Sequence, residues 1–256
     1  FRKACNAVME KPEGKESVSS FQALMVSTAS RVGTGNIVGV SSAICIGGVG
    51  SVFWMWIIAI LGSASALAES TLAQIYKKKG EDGKCYGGPA YYIEAALHSR
   101  GLAVVFCIAM ILTYAFGFNM LASYNLQSTF AGQPFYNADI TPWIIGGILA
   151  LVMGWCLLGG GNRIVKVTST LVPFMGIAYI LVSLFIVVLN IGQLPSVMAQ
   201  IFKEAFDFKA IFAGFAGSAM MQGIRRGLYS NEAGIGSAPN AAASAVVSHP
   251  IKQGLV

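Results

Sequence analysis

Long apolar runs separated by short polar breaks dominate the chain. The runs 51–76, 102–124, 140–158 and 167–190 each approach or exceed the roughly 20 residues that a helix needs to cross the hydrocarbon of a bilayer. They are continuous rather than alternating, which predicts membrane helices and not a β-barrel. Pro173 predicts a kink in the last of them. The run 18–48 would read as a further span, except that Arg31-Val-Gly-Thr-Gly-Asn-Ile-Val-Gly39 lies inside it. Glycine costs about 1 kcal/mol against alanine in a helix interior. In lipid, freed backbone groups must find partners within the protein or a wet cavity. The pattern therefore predicts a broken helix at mid-depth, turned toward a ligand, as in secondary transporters.

A sixth span is expected from Ile211 to Arg225-Arg226, with a second interruption at Gly214-Phe-Ala-Gly-Ser218. Spans one and six then run in opposite directions, as two inverted five-span repeats would, with the chain stopping early in the second. The expected fold class is all-α: a polytopic helical bundle with discontinuous helices, incomplete in this chain. Residues 1–17 are expected to be a cytoplasmic segment and 18–256 a single transmembrane core.

The breaks nominate the chemistry. Amides of the half-helix that starts at Thr34, Gly35 and Asn36 suit a carboxylate at a positive helix end. Ala216, Gly217 and Ser218 are the counterparts at the second break. Ahead of the first break, the orphan carbonyls of Ala29 and Val32 are hard donors for a small cation. In span three, Tyr114, Phe118 and Asn119 are candidates for the cavity wall, or they hydrogen-bond to neighbouring helices. The competing reading of Gly35-xxx-Gly39 is helix packing. Arg31 and Glu69, charged within apolar runs, either face the interior and line the pathway or snorkel from span ends. Asn231-Glu-Ala-Gly234 is either a gate or a capped helix start. The glycine spacing is not that of a dinucleotide loop, and no strand precedes it.

Composition agrees. Of 256 residues 55% are hydrophobic and only 11% charged, against about 25% charged in soluble domains. With the N-terminus inside, nearly all of the 17 Lys and Arg fall on the cytoplasmic side; Lys203 and Lys209 lie opposite and Arg31 in the membrane. The net charge of +6 is thus a positive-inside bias and not a nucleic-acid surface. Cys5, Cys45, Cys85, Cys107 and Cys156 lack paired or metal-ligand spacing and are expected as free thiols. The polar, charged opening at Phe1 has no signal-peptide pattern and reads as part of a longer protein. No paired nucleophile and base, metal cluster or pore-lining ring is evident, which argues against an enzyme or a channel.

Ser20-Phe-Gln-Ala-Leu24, Val32-Gly-Thr-Gly-Asn-Ile37, Phe53-Trp-Met-Trp56, Gly87-Gly-Pro-Ala-Tyr-Tyr-Ile93, Arg226-Gly-Leu-Tyr-Ser-Asn-Glu-Ala-Gly234 and His249-Pro-Ile-Lys-Gln-Gly254 together resemble the alanine or glycine:cation symporter family. The resemblance implies a leucine-transporter-type fold in a cell membrane, the bacterial inner membrane. It implies uptake of alanine or glycine coupled to sodium, sodium near Ala29 and Val32, no other cofactor, and further spans beyond Val256. Relatives often carry Gln where Ala122 stands, which leaves the preferred amino acid open. Proton coupling, or a non-transporting amino-acid sensor on the same fold, are the alternatives.

Overall fold

The computed structural model describes residues 2–9, 18–33, 35–81, 85–207 and 218–256. Among the described residues, four helices are long and apolar enough to cross a membrane: α4 (Ser51–Ile75), α6 (Arg100–Ser128), α7 (Thr141–Leu158) and α8 (Gly160–Leu189). They match the four uninterrupted runs. The last begins earlier than expected: Arg163 folds back, donating to the Trp155 carbonyl at 2.7 Å and lying 4.9 Å from its ring, so the helix continues through Lys166. Pro173 lies inside it.

The run 18–48 is broken, as the glycines require. Helix α2 (Ser20–Arg31) starts on a capping box, in which Ser19 Oγ accepts from the Gln22 amide and Gln22 Oε1 from the Ser19 amide. After the break the chain re-enters helix α3 (Gly35–Gly47), whose first turn is π-helical. Gly48, at φ +83°, ends it before α4.

Span six differs from expectation. Residues 208–217, and with them Ala216 and Gly217, lie outside the described residues. Ser218 opens helix α10 (Ala219–Asn231), its hydroxyl accepting from the Met221 amide. This helix runs antiparallel to α3: Gln222 meets Gly47 at one end, while Tyr229 and Ser230 meet Gly35 at the other. Arg226 therefore packs beside Gly39, and the helix runs on to Asn231 instead of ending at Arg225-Arg226. Asn231-Glu232 is a helix end and not a capped start. The interruption follows it, at 232–237, before α11 (Ala238–Ser244) and α12 (Pro250–Leu255). A polar half-helix buried among other helices carries no apolar run, so hydropathy misplaced it.

The interior is built of small residues. Ala23, Ala43, Ala73, Ala219, Ala242 and Ala243 are buried, while Leu158 and Trp143 are 91% and 81% exposed. Packing of this kind suits helices in lipid, where close backbone approach replaces the hydrophobic drive. Helix α10 lies in a seam against α3 and α4; α11 and α12 also pack on α4, and α2 on α8. Gln74 and Lys77 at the end of α4 donate to the carbonyls of Ala242 and Ala245, holding α11. Burial pushes the Lys77 ammonium below its usual pKa.

Phe53 and Trp54 at the start of α4 dock the amphipathic helix α9 (Leu194–Ala205). Trp54 Nε1 donates to the Ala205 carbonyl at 2.9 Å, and Phe53 meets Phe202 and Phe206 at 5.6 and 5.0 Å.

Candidate functional site

The two interruptions face each other. At the first, Asn36 is the stitch. Its amide nitrogen donates to the Arg31 carbonyl at 2.6 Å, its backbone N–H to Gly33 at 3.1 Å, and its side-chain oxygen accepts from the Ser230 hydroxyl. Its side-chain nitrogen thus bridges back to the end of α2, and its oxygen joins the break to α10.

At the second, Glu232 ends α10 at φ +51°, a left-handed conformation costing a non-glycine residue roughly 1–2 kcal/mol. Its carboxylate is buried, 3% exposed, and Oε2 accepts from Tyr114 Oη at 3.1 Å and Ser237 Oγ at 2.7 Å. Asn231 fixes the turn by accepting from the Ala233 amide at 2.9 Å. Gly234, at φ +84°, donates its amide to Glu69 Oε2 at 3.3 Å, so Glu69 faces the interior and steadies the unwound segment.

Between the breaks lies a cavity of about 290 Å³. Arg31, Gly33 and Gly35 line it from the first break, Ser230 and Glu232 from the second. An aromatic wall closes one side: Tyr114 stacks on Phe118 at 4.8 Å and Phe118 on Tyr229 at 5.5 Å, within 7° of parallel. Tyr114 and Phe118 sit on a π-helical stretch, Leu112–Phe118, inside α6. Such bulges recur at functional sites because the extra residue per turn re-aims side chains. The volume lies at the lower end for ligand pockets, which suits a small molecule.

Of the residues nominated from sequence, Gly35, Tyr114, Phe118, Asn119 and Ala29 line this one cavity, and so does Ala122. Asn36 and Val32 line a neighbouring space of about 410 Å³ next to Trp56. Ser218 is at the far end of α10, about 18 Å away at 1.5 Å per residue. Thr34, Ala216 and Gly217 are outside the described residues. Sequence reasoning did not nominate Tyr229 or Ser230 as lining residues, and weighed Glu232 only as part of a gate or a helix start. A signal was available: Arg31-Val-Gly33-Thr-Gly35 and Glu232-Ala-Gly234-Ile-Gly236 share one pattern, a charge followed by two glycines two apart. The cysteines are free, as expected.

A predominantly helical chain with long apolar helices and helix interruptions around a polar cavity is of the class of integral membrane proteins built on discontinuous helices. The sequence profile of the sodium:alanine symporter family matches residues 1–256, and the chain belongs to that family. It is 50% identical over 248 residues to a Bacillus subtilis protein named for sodium/proton-dependent alanine carriage, covering 95% of this chain and 50% of the relative. A second B. subtilis relative, named for sodium/glutamine symport, is 49% identical over 94% of this chain and 50% of its own length. The sodium/alanine symporter AgcS of Methanococcus maripaludis is 41% identical over 93% and 53%. The chain thus spans about half the length of the curated relatives it matches. The family is one of transporters and not of enzymes.

Proposed function

We propose that the whole protein imports a small neutral amino acid, alanine or glycine, with sodium, by alternating access across a cell membrane, the bacterial inner membrane. The observation that carries this reading is the small cavity between two helix interruptions in one apolar bundle. Substrate binds there, against Gly35 and the wall of Tyr114, Phe118 and Asn119. Sodium is cargo at the carbonyls that end α2, those of Ala29 and Val32. The two interrupted helices, antiparallel through α3 and α10, support a leucine-transporter-type inverted repeat with the N-terminus inside. The relative named for sodium/proton dependence supports a second reading, in which a proton gradient contributes.

The test is uptake of radiolabelled alanine, glycine and glutamine by the full-length protein in proteoliposomes, with sodium or proton gradients imposed separately. Alanine or glycine uptake that requires sodium is the expected result. Uptake driven by protons alone moves the coupling ion, and glutamine as the preferred cargo moves the substrate. Binding without flux under any gradient replaces the carrier with a sensor.

A further inference from the structure

A second cavity, of about 300 Å³, lies where α2, α4, α11 and α12 meet. Five polar side chains line it: Ser27 and Arg31 on α2, Ser63 and Ser70 on α4, and Gln253 on α12. Two of them are more than nine-tenths buried, Ser70 at 8% exposed and Gln253 at 4%. A buried polar group normally has a hydrogen-bond partner. Gln253 Oε1 has none, and Ser70 makes no hydrogen bond among the described residues. A helical serine or threonine has a partner to hand in a carbonyl one turn back, and on the same helix Ser63 and Thr71 take it, at 2.6 and 2.7 Å. Ser70 leaves its hydroxyl to the cavity instead. A lipid chain would satisfy neither group, so the space is built for a polar occupant.

Its charge narrows the class. None of the described residues that line it is acidic, and Arg31 is cationic. That sign favours an occupant with anionic oxygens, a carboxylate above all. Arg31 also lines the first cavity, so one guanidinium stands between the two. From Arg31 the second cavity extends back along α2 as far as Ala23, about 12 Å at 1.5 Å per residue. On α4 it reaches Ser70, ahead of Lys77-Lys78-Lys79, which by the positive-inside bias is the cytoplasmic direction. Resting on the carrier reading above, we propose that this cavity is a second amino-acid site, an exit station on the cytoplasmic side of the first. The carboxylate passes from the central cavity along Arg31 and is held by Ser70 and the Gln253 amide before release. Ser63 commits its hydroxyl proton to the Ile60 carbonyl, so its oxygen is left to accept from the ammonium. One charge and a few neutral groups bind weakly enough for the amino acid to leave, as a site on a pathway must.

The test places a reporter in the cavity. Ala66 lines it between Ser63 and Ser70 on the same face of α4. Ala66→Cys, in a cysteine-free background of the full-length protein, is treated in inside-out vesicles with a membrane-impermeant thiol reagent. Labelling is expected, and alanine at about ten times its half-saturating concentration is expected to slow it about tenfold. Alaninamide, which lacks the carboxylate, is expected to leave it unchanged. Adding Ser70→Ala or Gln253→Leu to the reporter protein is expected to abolish the protection and to slow alanine uptake about tenfold, while equilibrium binding of alanine in detergent stays within about threefold. Should one of these variants fail to fold, the other carries the comparison. Protection that persists in both overturns the proposal, because a movement driven from the central cavity would then be what shields Ala66. Labelling that alanine does not slow also overturns it, leaving a cavity that holds only water. Labelling confined to the opposite face, or absent from both, overturns it by closing the cavity to the cytoplasm in the full-length protein. Protection by alanine without any uptake counts against the carrier reading and leaves the second site standing.

Discussion

Asn36 has a structural task that its reading as a ligand contact did not include. Polar and set between glycines, it reads as a ligand contact. In the structure its side chain joins the first break to Ser230 on α10 and bridges to the Arg31 carbonyl. Asn36→Ala leaves a carbonyl and a hydroxyl short of a partner, about 1–3 kcal/mol of destabilisation. The expected outcome is a lower thermal midpoint for the ligand-free full-length protein, measured by tryptophan fluorescence in detergent. A loss of alanine affinity with an unchanged midpoint would return Asn36 to the ligand. Glu232 is the converse case. Asn and Glu before Ala-Gly have the preferences of a helix start, and only the packing of Tyr229 and Ser230 on Gly35 makes the segment a helix end. Tyr92, on helix α5 (Pro89–Leu97), offers a titration. Burial, and secondarily the Glu69 carboxylate, pushes its phenol up to about 12 from 10.0. A folded pKa above the unfolded one means stability fully present below pH 10 and lost as pH rises through about 12. The phenolate absorbance of wild type minus Tyr92→Phe should therefore appear only near pH 12; a difference signal centred near pH 10 would show the ring in water.

At the scale of elements, legibility followed solvent. Helices α4, α6, α7 and α8 are apolar along their length and little of them is fully buried, so their sequences are continuous apolar runs and their positions could be read directly. Helix α10 touches protein instead, carries Gln222, Arg225 and Arg226, and gives no such run. Its signature is glycine at the points of closest approach. A Cβ at Gly223 would stand 2.4 Å from the Ser51 carbonyl oxygen and 2.6 Å from Trp54 Cβ, where backbone cannot yield. A Cβ at Gly147, on α7, would meet nothing within 4 Å. Gly223→Ala should cost about 1–3 kcal/mol or more through overpacking. Gly147→Ala should instead stabilise by up to about 1 kcal/mol through helix propensity. Unfolding of the two variants in graded denaturant checks the sign of each. A Gly223→Ala protein as stable as wild type would mean that α10 does not seat against α4 in this way.

For the molecule as a whole, the contacts divide into two kinds, and the division bears on how it would move. Helix α10 is held to α3 and α4 by glycine approaches along its length, at Gly47, Gly223 and Gly227. Interfaces of this kind have little room to slide, because close-packed backbones have few alternative registers. Helix α6 reaches the same helix through flat stacked rings, Phe118 on Tyr229 at 5.5 Å and 6°, and through the Tyr114 hydroxyl on Glu232. Parallel rings can shear without steric penalty, and a single hydroxyl bond is readily exchanged. If alternating access is the mechanism, the seam should travel as one body and the stack should be where bodies part. Two cross-links in a cysteine-free background separate these cases. A Cβ at Gly227 would stand 3.3 Å from Ile58 Cβ, near the separation of a disulfide, so the pair Ile58→Cys with Gly227→Cys should close and leave alanine uptake within about threefold of its reduced state. The pair Phe118→Cys with Tyr229→Cys, joined by a short bifunctional thiol reagent, should stop uptake by at least about tenfold relative to the same protein before joining. Uptake that survives the second link and fails with the first would reverse the assignment: α6 and α10 would move together, and the glycine seam would be the moving surface.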